Sequence, residues 1–152
     1  MTATKIVHDL AAYLISSLGQ TETLKLQKLL YYCNAWSLAL RNRPVFTDQI
    51  EAWKHGPVIS SIYPYHRRVA SVSEWQWGNE NDLPPDAKKM ADAVLTLYGA
   101  RSGWSLRNLT HDEAPWHDAW IRCDYGARPG EVISHEDMKT FYSSKIQIAS
   151  AN

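Results

Sequence analysis

The 152-residue sequence holds 2 cysteines, 2 phenylalanines and no surplus of either charge. Cys33 and Cys123 are too few for a disulfide framework and form no Cys-x-x-Cys pair. A small scaffold held together by bridges is excluded, and a reducing cytoplasm is the expected compartment. No apolar run approaches the ~18–20 residues of a membrane-spanning helix. The opening MTATKIVHDL has no unbroken apolar stretch behind Lys5, so no secretory signal is expected. Lys and Arg number 16, as do Asp and Glu, so the formal net charge is zero. Nonspecific nucleic-acid binding draws on a surplus of cations that this chain lacks. The P-loop, the dinucleotide-binding GxGxxG and the GxSxG nucleophile elbow are also missing.

What is present is a length suited to one domain, able to bury roughly two thirds of its unfolded surface without a metal or disulfide staple. Seven Trp and eight Tyr are abundant for such a chain. Both join an apolar body to a polar handle, and both are enriched at protein interfaces. The charge is also divided. Residues 1–70 carry 8 basic and 4 acidic residues, and residues 71–152 carry 8 basic and 12 acidic. This division fits ordinary scatter over a solvated surface, or else a dipolar surface with a partner-facing side.

The periodicity predicts a mainly α fold, a compact single-domain helical bundle spanning 1–152 with at most a small β element. Ile6, Val7, Leu10, Ala11, Leu14, Ile15 and Leu18 recur at helical spacing over about 4–18, with Gly19 as the stop. Thr21 or Thr23 is placed to cap a second helix running to about Asn42, with Leu26, Leu29, Leu30, Cys33, Trp36 or Ser37, and Leu40 on its apolar face. Alternation over Ile50–Lys54 suggests a short strand. Gly56-Pro57 marks a turn, and Pro at a first helical position predicts a third helix through Val58, Ile59, Ile62, Tyr63 and Tyr65, broken at Pro64. A short strand is expected at Glu74–Trp77. A helix follows Pro84-Pro85 and stops at Gly99, and Ser102 caps another. Thr110-x-x-Glu113 reads as a capping box for a helix with Trp116, Trp120 and Ile121. Val132-Ile133 suggests a brief strand, and Ser134-x-x-Asp137 caps a last helix to about Ile148.

Few residues offer catalytic chemistry. His111 and His117 are six apart with Pro115 between them, which is not the spacing of two ligands on one helical face. A hydrolase or metal enzyme around His111, Asp112 and His117 is the weakest of three readings. Its alternative is that His111 hydrogen-bonds locally near a helix start. Glu22, Asp48 and Glu51 are carboxylates that only the fold could bring together. No catalytic residue, metal ligand or cofactor is assigned. Tyr31, Tyr32 and Trp36 lie on the second helix, and since neighbours on a helix point ~100° apart, one of the tyrosines faces away from the core. Trp53, Tyr63 and Tyr65 flank the Gly-Pro turn, and Lys25, Lys28, Lys54, Arg67 and Arg68 are interleaved with them. Most such aromatics fill the core of a small helical domain, while an exposed subset would suit an aromatic groove for another protein, or stacking on nucleic acid through the basic N-terminal half.

Three segments in order resemble the Panacea domain, the SocA-like antitoxin domain: LKLQKLLYYCNAWSLAL (Leu24–Leu40), IEAWKHGPVISSIY (Ile50–Tyr63) and LTHDEAPW (Leu109–Trp116), the last preceded by Tyr98-Gly99 and Leu106. The resemblance covers about residues 5–145 and departs from the family tendency at Cys33-Asn34-Ala35. It implies a mostly helical cytoplasmic domain of bacteria and their phages, acting as the antitoxin of a toxin–antitoxin pair. Some members hand a toxin to a protease. The partners it implies are a cognate protein toxin and, for an adaptor, a protease, with neither nucleic acid nor membrane. Tyr32, Trp53, His55, Tyr63 and Trp116 are the expected contact residues. Gly56, Pro57, Thr110, His111 and Pro115 are the motif positions expected to build the fold, with Gly56-Pro57 setting a turn and Thr110 capping a helix.

Overall fold

A computed structural model describes residues 2–151, with side chains through residue 146. The described chain is mainly α, with two small two-stranded sheets. Helix α1 (Lys5–Leu18) starts where the Thr4 hydroxyl accepts from Val7 N and ends at Gly19. Its apolar stripe, Val7, Leu10, Ala11, Leu14 and Ile15, is buried. Helix α2 (Thr23–Arg41) ends at Asn42, in the left-handed conformation that Asn tolerates.

Helix α2 is the axis of the molecule. It packs against α1, α4 (Pro85–Tyr98), α5 (Gly103–His111), α7 (His135–Ala151) and strand β3 (Gly56–Ile59). Wrapped on most sides, it is buried through its middle turns, whereas Leu40 near its end, expected on the apolar face, is exposed. Leu26, Leu29, Leu30, Tyr31, Tyr32, Cys33 and Ala35 are accordingly enclosed, as are Gln27, Lys28 and Asn34. The polar members are held by specific partners. Asn34 Oδ1 accepts from Val45 N at 2.8 Å and Phe46 N at 3.0 Å, fixing the loop after α2. Asp48 accepts from Thr4 N at 3.0 Å and from the Ser61 hydroxyl at 2.6 Å, tying that loop to the start of α1.

Several expectations are met. The strand at Ile50 is β2 (Ile50–Trp53), α4 follows Pro84, the Ser102 hydroxyl caps α5, and Ser134 Oγ accepts from Asp137 N at the start of α7. Val132 bridges to Glu51, and Ile133 N donates to Ile50 O.

Others are corrected. Thr21 and Thr23 do not cap α2. Thr21–Glu22 is strand β1, antiparallel to β4 (Ser71–Val72), and the Thr23 hydroxyl donates to Val69 O. Glu74–Trp77 is loop. The helix expected from Pro57 is instead strand β3, paired antiparallel with β2 across the Lys54-His55 turn. Helical structure there is confined to α3 (Tyr63–His66), with Pro64 in its first turn. Thr110 does not cap α6 (Ala114–Arg122). It lies in the last turn of α5, where its hydroxyl donates to Arg107 O, and the cap position Glu113 makes no side-chain capping bond. Glu113 is committed elsewhere, to the tyrosines described below.

Candidate binding groove

The β2–β3 hairpin lies against α2, and the outer edge of β3 is closed by α2 side chains rather than by another strand. Gln27 Oε1 accepts from Ile59 N at 2.8 Å, and Gln27 Nε2 faces Ile59 O at 3.4 Å. Lys28 Nζ donates to Pro57 O at 3.0 Å. Lys28 is fully enclosed. Burial lowers its pKa to about 7, and repulsion from the Arg107 guanidinium acts in the same direction. The chain must pass very close to it: a Cβ on Gly56 would meet Lys28 Cε at 2.5 Å and Thr110 Oγ1 at 2.9 Å. With φ at +111°, Gly56 is required both by conformation and by space.

Above this floor is a groove of about 480 Å³, bounded by the start of α2, the hairpin tip and residues 66–70. Trp53, Val58 and Tyr63 form its apolar walls, and Lys54, Arg67 and Arg68 stand on its rim. Trp53 and Tyr63 meet edge to face with centroids 4.8 Å apart. The Trp53 indole N–H donates to Glu51 Oε1 at 2.9 Å, which fixes the ring. His66 Nε2 and Gln27 Nε2 are 2.9 Å apart in the floor. Burial lowers the pKa of His66, and desolvation followed by the Arg107, Lys54 and Lys28 charges lowers that of His55. Both shifts disfavour the charged imidazole, and the exposed cations of the groove are those of its rim, Lys54, Arg67 and Arg68. Beside the hairpin tip, Trp104 is 54% exposed, 5.8 Å from the His55 ring and covered by the Arg107 guanidinium at 4.5 Å.

The sequence-derived contact residues divide. Trp53, His55 and Tyr63 come together at the groove. Tyr32 and Trp116 do not reach the surface, at 0% and 4% exposure, and they are corrected to interior residues. The Tyr32 hydroxyl donates to Glu113 Oε1 at 2.7 Å, Tyr142 donates to the same oxygen at 2.9 Å, and the Tyr31 and Tyr142 hydroxyls are 3.0 Å apart. Tyr32 also stacks on Tyr98 at 4.0 Å. Burial raises the Glu113 pKa, and the two tyrosine hydrogen bonds oppose that rise. Trp116 donates to Trp53 O at 2.8 Å and so braces the hairpin from behind.

His111 stacks flat on Trp116 at 3.7 Å, and its buried Nε2 has no hydrogen-bond partner. This replaces the local hydrogen bond expected for it. Burial, followed by the Arg107 charge, brings its pKa down to about 4. His117 projects from α6 beside Asp118. Among the described residues, no three His, Cys, Asp or Glu side chains are grouped to hold a metal ion. Glu22, Asp48 and Glu51 serve three separate places: Glu22 accepts from Gly103 N, Asp48 from Thr4 and Ser61, and Glu51 from Trp53. Gln27, His66 and Trp104 belong to no motif in the sequence that marks a site. Only the fold brings them to the groove or its margin.

The fold thus sets an apolar groove under a cationic rim against helix α2. The model of the family "Antitoxin SocA-like, Panacea domain" matches residues 26–117, and the chain belongs to that family. No curated protein and no solved structure matches it. Among the described residues, no helix is long and apolar enough to cross a membrane.

Proposed function

We propose that this protein is an antitoxin that neutralises a cognate protein toxin by binding it directly, with Trp53, His55 and Tyr63 in the contact surface. Family membership supports the antitoxin role. The observation that carries the binding surface is the groove itself. Large aromatic side chains are anchored in it by Glu51 and by each other, so little side-chain entropy remains to be lost on association. Inhibition by binding needs a complementary surface and no catalytic group.

The test is co-expression with the product of the neighbouring reading frame, once that product alone is shown to arrest growth. The parent restores growth. Tyr63→Ala, shown to be folded by its circular dichroism and melting profile, restores it only when overexpressed. Truncating an aromatic hot spot costs ~2 kcal/mol or more, about thirtyfold in affinity, which mass action can offset. Full rescue by Tyr63→Ala at parental expression would remove the groove from the contact surface.

A further inference from the structure

We propose that the groove takes an acidic segment of the partner protein, with an apolar side chain seated against Trp53, Val58 and Tyr63 and flanking carboxylates facing Lys54, Arg67 and Arg68. This rests on the reading of the protein as a binder of a toxin, and adds the chemistry of what is bound.

The first support is the sign of the lining. No side chain that lines the groove is Asp or Glu, although basic and acidic residues are equal in number over the whole chain. The three rim cations are exposed, and among the described residues none of them makes an ion pair. Like charges gathered over an apolar wall repel one another and focus a field into the cleft, which an anionic partner relieves. Second, the backbone at Arg68 has φ +70°, a left-handed conformation that is unfavourable for a non-glycine residue. That turn, closed by Val69 N donating to His66 O at 2.9 Å, holds Arg67 and Arg68 at the groove mouth.

Third, the groove floor is already satisfied. Gln27 and Lys28 occupy the carbonyls and N–H on the outer edge of β3, so strand addition there has no free edge to use. Recognition is therefore by side chains, and the volume suits a few of them. A nucleic acid would need a continuing phosphate track, whereas residues 71–152 carry 8 basic against 12 acidic residues.

The test pans a random dodecapeptide library, displayed on phage, against the full chain and against the triple variant Lys54→Gln, Arg67→Gln, Arg68→Gly. All three positions are exposed, and glycine suits the φ at 68, so the variant keeps its fold, which a melting curve verifies. The expected winners combine Asp or Glu with an aromatic or aliphatic residue. A synthetic winner binds the variant about tenfold or more weakly, and its affinity for the parent falls as salt rises. Winners without an acidic bias, equal affinity for the variant, or tighter binding of dodecathymidylate than of any peptide would overturn the proposal. Growth rescue is read separately. Rescue by the parent alongside unbiased peptides sinks the groove chemistry alone. Acidic winners alongside a parent that fails to rescue sink the antitoxin assignment and leave the groove chemistry standing.

Discussion

Lys28 lies so close behind Gly56 that a methyl group on that glycine would sit 2.5 Å from the lysine Cε. The hairpin that carries Trp53 and His55 is thus seated directly on a buried amine, and its position depends on a side chain being absent. Gly56→Ala forces a side chain into this contact and into a positive φ. The expected loss is about 2–4 kcal/mol, read from the midpoint of urea unfolding. A parental midpoint would show that the turn can move away from α2 freely.

Burial of Lys28 also sets a pH dependence. Its pKa is 10.5 in the unfolded chain and about 7 in the folded one. Between those values the unfolded state binds a proton that the folded state does not. Stability attributable to this residue therefore rises with pH from about 7 to 10.5, by at most ~1.4 kcal/mol per pH unit. Below pH 7 both states are charged and the full penalty applies. Lys28→Met removes the titration, so the unfolding free energy of the parent relative to this variant should climb across that window. A constant difference would mean that the amine stays protonated in its enclosure.

Glu113 acts with the opposite slope. Its folded pKa is raised, so its contribution is fully present below the ordinary value of 4.5 and is lost as pH rises through the folded pKa. Glu113→Gln keeps an acceptor for Tyr32 and Tyr142 and flattens that acid limb. Glu113→Ala removes the acceptor shared by Tyr32 and Tyr142 and costs about 1–3 kcal/mol, most at acid pH where the parent's contribution is complete. Urea titrations of the two variants from acid to neutral pH separate the effects, and equal stability of both would remove the network from the core's energetics.

The two cysteines are enclosed, Cys33 at 0% and Cys123 at 1% exposure, and are unlinked. Burial pushes the Cys33 thiol well above its usual range. Ellman's reagent should therefore find two thiols per chain in denaturant without reductant, while the native protein reacts slowly. Rapid native labelling would show that one of these sites opens readily.

Much of this architecture was legible from local pattern. Helices α1 and α4 follow their 3.6-residue stripes, and β2 follows the alternation from Ile50. What failed was decided by tertiary context. Pro57 suits the first turn of a helix, and Val58-Ile59 is too short an apolar run for periodicity to decide between helix and strand. Pairing with β2 and the bonds from Gln27 and Lys28 settle it as strand. Thr110-x-x-Glu113 has the spacing of a capping box, but the tyrosines of α2 and α7 claim the carboxylate. An amphipathic α2 would turn one of Tyr31 and Tyr32 outward, whereas neighbouring elements enclose both. The groove draws on α2, the hairpin and residues 66–70, so no contiguous motif could display it.

The central claim is neutralisation by stoichiometric binding, and the direct measurement is toxin activity after mixing the purified pair with toxin in roughly tenfold excess. Binding predicts that inactivation tracks the molar ratio, leaving most of the toxin active and chemically unaltered. Complete inactivation at that ratio, with the toxin recovered in modified form, would contradict it.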